Sequence, residues 1–203
     1  MTTEAAKSSR LDALVLAAGA GTRFGGGKLL APWRGGRLID AALAAAFSAP
    51  VRAVTVVWGA DAAVAQAARD WAARADVDRR LRLVEARAHA QGLSASLKAG
   101  AASLTPDSAG AFVFLGDMPR IPVEIFARLT RALETGALAA APVFAGRRGH
   151  PVLLGASLLT ALDGLTGDRG AGALLRELGA GLALIETTDD GVVFDIDENG
   201  DLA

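Results

Sequence analysis

Leu16-Ala17-Ala18-Gly19-Ala20-Gly21-Thr22-Arg23-Phe24-Gly25-Gly26-Gly27-Lys28 is the stretch from which the fold is read. It begins inside an apolar run, Leu11 to Ala18, of the length and composition of a strand buried on both faces. The tract Gly19 to Gly27 is too rich in glycine for the interior of a helix or strand, so the strand empties into a loop. Glycine lets successive backbone N–H groups point into one concavity, which makes such a loop a cradle for an anion, phosphate above all. Neither common phosphate motif fits. With Gly19 and Gly21 as the first two glycines of the dinucleotide fingerprint, the third position holds Phe24, and Asp40 at about the right distance downstream is then a coincidence. Counting back from Lys28, a Walker A loop needs glycine where Thr22 stands and a hydroxyl where Leu29 stands. What remains is a long loop with Arg23 inside it and Lys28 at its end, two fixed cations suited to a triphosphate. A glycine-rich turn with a solvated Arg and Lys is the alternative the loop alone leaves open.

Outward from the loop, short apolar runs alternate with longer Ala/Leu-rich stretches, the pattern of a parallel sheet with crossover helices. Leu38 to Ala49 reads as a helix stopped by Pro50, Val51 to Trp58 as a strand, and Asp61 as the cap of a helix reaching Ala75. Leu81 to Glu85 is a third strand. Ser94 to Ala102 is a helix opened by its own hydroxyl, and Ala111 to Leu115 is an apolar strand ending in Gly116-Asp117-Met118-Pro119. A helix is expected from Pro122, then strands at Ala139 to Phe144 and Pro151 to Leu154 joined by the polar segment Ala145 to His150. Short helices near Ser157 to Leu162 and Gly170 to Leu178 and strands at Leu182 to Glu186 and Val192 to Asp195 complete the chain. The expected class is α/β: a Rossmann-like three-layer α/β/α sandwich with a mostly parallel sheet, residues 11–203 forming one domain behind a flexible 1–10 segment.

Composition bounds the chemistry. The 203 residues are 52% hydrophobic and 21% charged, which excludes a disordered tail. With 21 basic against 22 acidic residues the net charge is −1, so no global field draws the chain to nucleic acid or to an anionic membrane. There is no cysteine, which excludes disulfides, thiolate catalysis and iron–sulfur clusters, and the only histidines, His89 and His150, cannot build a histidine-rich metal site. His89 reads as a surface residue of a polar loop. Met1 to Arg10 lacks the apolar stretch of a secretory signal, and no apolar run reaches the length of about 18 residues that spans a membrane. A cytoplasmic location is expected.

Leu16 to Lys28 resembles the opening Leu-Ala-Ala-Gly-x-Gly-x-Arg-Phe/Met-Gly-x-x-Lys of a family of nucleotidyltransferases. Four further segments resemble its molybdenum cofactor cytidylyltransferase branch: Gly92-Leu93-Ser94-Ala95-Ser96-Leu97, Gly116-Asp117-Met118-Pro119, Gly146-Arg147-Arg148-Gly149-His150-Pro151-Val152 and Gly167-Asp168-Arg169-Gly170-Ala171. The likeness runs from Leu11 to Leu202. Two departures stand out. The asparagine that often precedes the Gly-Leu-Ser segment is Ala86 here, and the C-terminal Asp195-Ile196-Asp197-Glu198-Asn199-Gly200-Asp201-Leu202 keeps the family's acids but loses its Thr-Pro.

The resemblance implies transfer of CMP from CTP to the terminal phosphate of molybdopterin, with pyrophosphate released and magnesium as cofactor. A guanylyltransferase using GTP is the near alternative, and a pterin or nucleotide carrier the non-enzymatic one. Asp117 just past an apolar strand is where open α/β sheets bind ligands, and it is the expected metal ligand unless it merely caps a turn. Asp197 is the second ligand by resemblance, or a solvated acid of the tail. Lys28 and Arg23 are assigned to the triphosphate, and Ala17, Ala18, Gly19, Ala20, Gly21, Thr22, Ser94 and Ser96 to the nucleotide, with helix capping as the other role for Ser94. Arg147, Arg148, His150 and Asp168 are assigned to the acceptor, with a solvated hairpin tip as the alternative for the two arginines. A molybdenum hydroxylase is the implied recipient of the product.

Overall fold

The structure is a computed structural model and describes residues 10–162 and 170–202. The expected flexible segment 1–10 falls, but for Arg10, outside the described residues, as do Gly167, Asp168 and Arg169.

Strand β1 (Leu11–Ala17) empties into the glycine loop, which holds two 3-10 turns, Thr22–Phe24 and Lys28–Leu30. A small hairpin of β2 (Pro32–Trp33) and β3 (Gly36–Arg37), unforeseen in the sequence, leads into helix α1 (Leu38–Ser48). Asp40 belongs to this start: its carboxylate accepts the Arg37 backbone N–H at 3.2 Å and pairs with the Arg37 and Arg74 guanidinia. It therefore has the local structural role that the failed dinucleotide fingerprint left for it. Next come β4 (Val54–Trp58), α2 (Ala62–Arg74) and β5 (Leu81–Glu85). Asp61 caps α2 as expected, accepting the Ala63 N–H at 2.9 Å.

Helix α3 (Leu93–Ala102) is not opened by Ser94. Gly92 is the residue before it, at φ 101°, ψ 179°, a conformation that in practice only glycine adopts, and Ser94 lies buried inside the first turn. Then follow β6 (Gly110–Leu115), α4 (Ile125–Glu134), β7 (Ala139–Phe144), β8 (Arg147–Arg148) and β9 (Val152–Gly155). α4 starts later than Pro122 predicts, because the chain first makes a turn in which the Phe126 N–H bonds to the Val123 carbonyl. The last elements are α5 (Ala156–Ala161), α6 (Gly170–Glu177) and β10 (Leu182–Glu186). Val192 to Asp195 is not a strand. Asp190–Val193 forms a 3-10 turn, capped by the Asp189 carboxylate on the Gly191 N–H at 2.8 Å.

The main sheet runs β10-β7-β9-β6-β1-β4-β5, with β8 paired to β7. β5, β4, β1 and β6 are mutually parallel, as are β10 and β7, and β9 is antiparallel to both its neighbours. Alternation along β1 builds two cores. Ala13, Val15 and Ala17 face α1, α2 and α4, whereas Leu14, Leu16 and Ala18 face the side packed with Leu97 of α3, Leu158 of α5 and Leu175 of α6. This is the three-layer sandwich. In the first core Phe112 and Phe114 are fully buried and meet the Phe126 ring edge-on at 5.8 and 5.9 Å, each buried aromatic contributing about 2–3 kcal/mol.

At the amino end of β1, Asp12 is 1% exposed and is held by Arg52 (3.0 Å) and the Ser108 hydroxyl (2.9 Å). Arg52 also reaches Asp107 at 2.8 Å and the Thr105 hydroxyl, and its guanidinium holds the Asp107 carboxyl down to about 2. Arg52 is thus a structural clamp at one end of the sheet.

At the other end the topology makes a site. From β1 the chain winds through β4 to β5, then crosses back to β6 on the opposite side of β1. The crevice between the carboxyl ends of β1 and β6 is the switch point where such sheets bind ligands. The glycine loop and the loop from Gly116 to Arg120 meet there.

Candidate active site

Lys28 is the first residue of its 3-10 turn, directed back over the crevice by Gly27 at φ 65°. Its stem lies against Gly21, where a methyl group would stand 3.0 Å from the Lys28 Cβ. Its ammonium donates to Asp117 Oδ2 at 2.7 Å and to Asp197 Oδ1 at 3.2 Å. The two carboxylate oxygens therefore lie within about 6 Å of each other, close enough to share a cation. Side-chain exposure rises from 11% at Lys28 to 27% at Asp117 and 52% at Asp197, so the lysine closes the floor and the acids open to solvent. Burial works against the ammonium, but Asp117 and then Asp197 outweigh it and raise its pKa above the ordinary 10.5. Lys28 is a fixed cation.

Asp197 comes from far away in the chain. The Ile196 N–H bonds to the Asp117 carbonyl at 3.1 Å, laying the C-terminal segment along the β6 loop. Asp201 then accepts the N–H groups of Asp197 and Glu198 at 2.9 and 2.8 Å, which also depresses its own pKa. This carboxylate turn occupies the place where the resemblance led one to expect Thr-Pro. No cluster of three or more His, Cys, Asp or Glu side chains able to hold a metal occurs among the described residues. Two carboxylates with room for phosphate oxygens and water suit magnesium or manganese, which bind through one or two carboxylates plus substrate phosphates.

A cavity of about 360 Å³ opens beside this knot. Of the expected nucleotide residues, Ala17, Ala18, Gly19, Ala20, Gly21, Lys28 and Ser96 line it together with Asp117. Thr22 does not: it lies exposed in the first 3-10 turn. Arg23 occupies the same turn, and its side chain lies outside what the structure describes. Ser94 is buried away from the cavity, since residues two apart on a helix point to different faces. The cradle is also shorter than the glycine run suggests. The N–H groups of Phe24, Gly25 and Gly26 bond to carbonyls of Gly21 and Thr22, so the loop's middle stabilises itself and its two ends face the ligand space.

His89 overturns its reading as a surface residue. It is half-buried, lines this cavity and rests on Gly59, where a Cβ would meet the imidazole at 2.7 Å. Its Nδ1 lies 3.0 Å from the carbonyl of Ala86. At the position where the family often carries an asparagine, this chain thus presents an imidazole tethered to the Ala86 backbone. Asp61 and Val64 of the α2 start complete the same wall. A polar loop gives no sequence signal for this, because the packing partner is a glycine just past the end of β4, far away in the chain.

A second cavity of about 220 Å³ shares Leu16 and Leu93 with the first. Arg148, Gly149, His150, Val152 and Leu175 line it. His150 Nδ1 lies 3.2 Å from the Val113 carbonyl, and burial lowers the imidazole pKa below 6.5, against the pull of that carbonyl and of Asp117. Arg147 and Arg148 are both exposed on β8, but only Arg148 faces the cavity, as neighbours on a strand point opposite ways.

Residues 13–182 match the family model described as a MobA-like NTP transferase domain. The chain belongs to this family. Among relatives, it is 32% identical to nicotine blue oxidoreductase of Paenarthrobacter nicotinovorans over 91% of this chain and 90% of that one. It is 26% identical to molybdenum cofactor cytidylyltransferase of Escherichia coli (strain K12) over 72% of this chain and 70% of that one. Among solved structures, the Mycobacterium sp. strain JC1 homolog of Mycobacterium tuberculosis rv0371c superposes with a TM-score of 0.74 at 28% identity, covering 95% of this chain and 92% of that chain. Family membership makes the protein a nucleotidyltransferase related to the molybdopterin enzymes. The family span ends before the segment that delivers Asp197. No helix among the described residues is long and apolar enough to cross a membrane.

Proposed function

We propose that this member of the family transfers CMP from CTP to the terminal phosphate of molybdopterin, with magnesium as cofactor. The observation that carries the reading is the Lys28 ammonium held between Asp117 and Asp197 at the switch point. One anionic phosphate has to attack another, so the site must neutralise both reactants and the departing pyrophosphate. Asp117 and Asp197 would hold the magnesium ion, which when bound neutralises triphosphate oxygens. Lys28 would then turn from the carboxylates to the phosphates, and Arg23 in the adjoining turn is assigned to the outer ones. An oxygen of the acceptor's terminal phosphate forms a bond to the α-phosphorus as the bond from that phosphorus to the bridging oxygen breaks, and pyrophosphate leaves. The attacking phosphate is already ionised, so no general base is needed.

The second cavity, with Arg148 and His150 on its wall, is assigned to the acceptor, and Leu16 and Leu93 form the boundary between the two reactants. Asp168 and Arg147 remain assigned to the acceptor side from the sequence. Ala18 supports CTP over GTP, because the guanine-using branch carries glycine at that position. A molybdenum hydroxylase is the proposed recipient of the product, and the cytoplasm its place of action.

A second reading follows from the 32% identity to a protein named as an oxidoreductase. Phe24 in place of the third fingerprint glycine and the two-carboxylate knot favour group transfer over redox chemistry. The test is pyrophosphate release with magnesium and purified molybdenum cofactor, comparing CTP, GTP, ATP and UTP. A CTP preference that depends on the pterin supports the proposal, and a GTP preference moves it to the sister activity. No release with tight pterin binding indicates a carrier; no release with reduction of nicotine blue by a nicotinamide cofactor indicates the oxidoreductase.

A further inference from the structure

We infer that Arg120 is a positioning residue that clasps the C-terminal segment Asp189–Asp197 and thereby sets the second carboxylate of the site. The inference rests on the reading of Asp117 and Asp197 as the metal-holding pair. Arg120 leaves the same loop that carries Asp117. Its Nη2 donates to Asp190 Oδ1 at 2.6 Å, and its guanidinium stacks over the Phe194 ring at 4.4 Å. Phe194 in turn packs against Trp33 of β2 at 6.3 Å between centroids. Two contacts on one planar cation, one near the start of the segment and one in its middle, fix its path more tightly than either alone.

The backbone agrees. Gly191 is buried directly on the Arg120 carbonyl, where any Cβ would stand 2.0 Å from that oxygen, so the segment approaches the loop as closely as a chain can. Val192 accepts the His150 N–H at 2.8 Å, which ties the same segment to the wall of the second cavity. From this anchored turn the chain runs through Phe194 to Ile196, whose N–H bonds to the Asp117 carbonyl, and the next residue is Asp197. Asp197 itself is 52% exposed and belongs to no strand or helix, so its place is set by these upstream anchors together with the Asp201 carboxylate on its N–H and the Lys28 ammonium on its side chain. The clasp therefore couples the two halves of a site whose carboxylates are far apart in sequence.

The experiment uses the full chain and two readouts. The first is amide hydrogen exchange of Ile196 without metal or substrate. Arg120→Ala is expected to speed it at least tenfold, Arg120→Lys less, because lysine keeps the Asp190 pair and loses the planar stack; Asp197→Asn should leave it unchanged. The second is Mn²⁺ binding followed by electron paramagnetic resonance in the presence of CTP. Arg120→Ala should weaken it about as much as Asp197→Asn does, and the double variant should be no weaker than Asp197→Asn alone. Unchanged Ile196 exchange in Arg120→Ala overturns the clasp, as do fully additive losses of Mn²⁺ affinity. If Asp117→Asn also binds Mn²⁺ like the parent, the metal-site reading itself fails, and the exchange result still decides whether Arg120 holds the segment.

Discussion

Replacing Lys28 with methionine removes the ammonium while keeping a stem of similar length against Gly21. At 2.7 Å and an effective dielectric of about 20, the attraction to Asp117 is about 6 kcal/mol before solvation is counted. The net contribution of a charge-assisted hydrogen bond is nearer 1.5–3 kcal/mol, roughly what the partly buried Asp117 contact is worth. The Asp197 contact, on a half-exposed acid, adds at most about 1 kcal/mol. Without the cation, two carboxylates about 6 Å apart repel by about 3 kcal/mol at that dielectric, and by less than about 1 kcal/mol once water fills the space the ammonium leaves. The expected loss is about 2–4 kcal/mol, which for a chain of this size lowers the melting temperature by about 5–12 °C. A divalent metal should recover more stability in the variant than in the parent, because in the parent it competes with an ammonium already seated between its ligands. Calorimetry of both proteins with and without magnesium measures this, and pyrophosphate release should fall at least about 100-fold in kcat/KM for the nucleotide. A variant that melts within about 1 °C of the parent without metal, and gains no more than the parent from magnesium, would show that the lysine does not neutralise the pair.

Asp117→Asn should retain the fold and lose at least about 100-fold in turnover under saturating magnesium; parental rates would remove Asp117 from the chemistry. Arg52→Ala leaves Asp12 charged and 1% exposed beside the Ser108 hydroxyl, and should cost about 3–5 kcal/mol in urea unfolding. Because this clamp stands at the end of the sheet away from the crevice, its KM values should not move at temperatures where it is folded. His150 titrates with a pKa below 6.5 in the folded chain, so the unfolded chain takes up the proton first as pH falls. Stability from this group is fully present above pH 6.5 and is lost below it, by at most about 1.4 kcal/mol per pH unit until the folded pKa is reached. Unfolding curves between pH 7.5 and 5.5 should show that slope in the parent and a shallower one in His150→Gln.

Local chemistry wrote much of the fold into the sequence. The β1 run, the Asp61 cap and the strand that ends just before Asp117 follow from apolar runs and short-range hydrogen bonding, which need no knowledge of distant residues. The same short-range logic misplaced Ser94, because a glycine immediately upstream took the turn that a hydroxyl cap would have needed. It also predicted a strand at Val192 to Asp195, where the chain is held instead by the His150 N–H on the Val192 carbonyl and by the Asp189 cap on Gly191 just before it. Propensity yields when tertiary contacts supply other partners for the backbone.

For the site, the sequence by itself determined the inventory: a glycine loop ending in Lys28, an acid past an apolar strand, acids at the tail and an Arg-Arg-Gly-His segment. Residue type and immediate neighbours are enough to say that such groups suit phosphate and a divalent metal. Only the tertiary structure decided which of them meet. The crossing from β5 back to β6 sets Asp117 beside Lys28, the clasped C-terminal segment brings Asp197 to the same ammonium, and the glycine at position 59 lets His89 turn inward to wall the cavity. Those encounters depend on strand order and on the absence of a Cβ far along the chain, and neither is recorded in the residues that do the work.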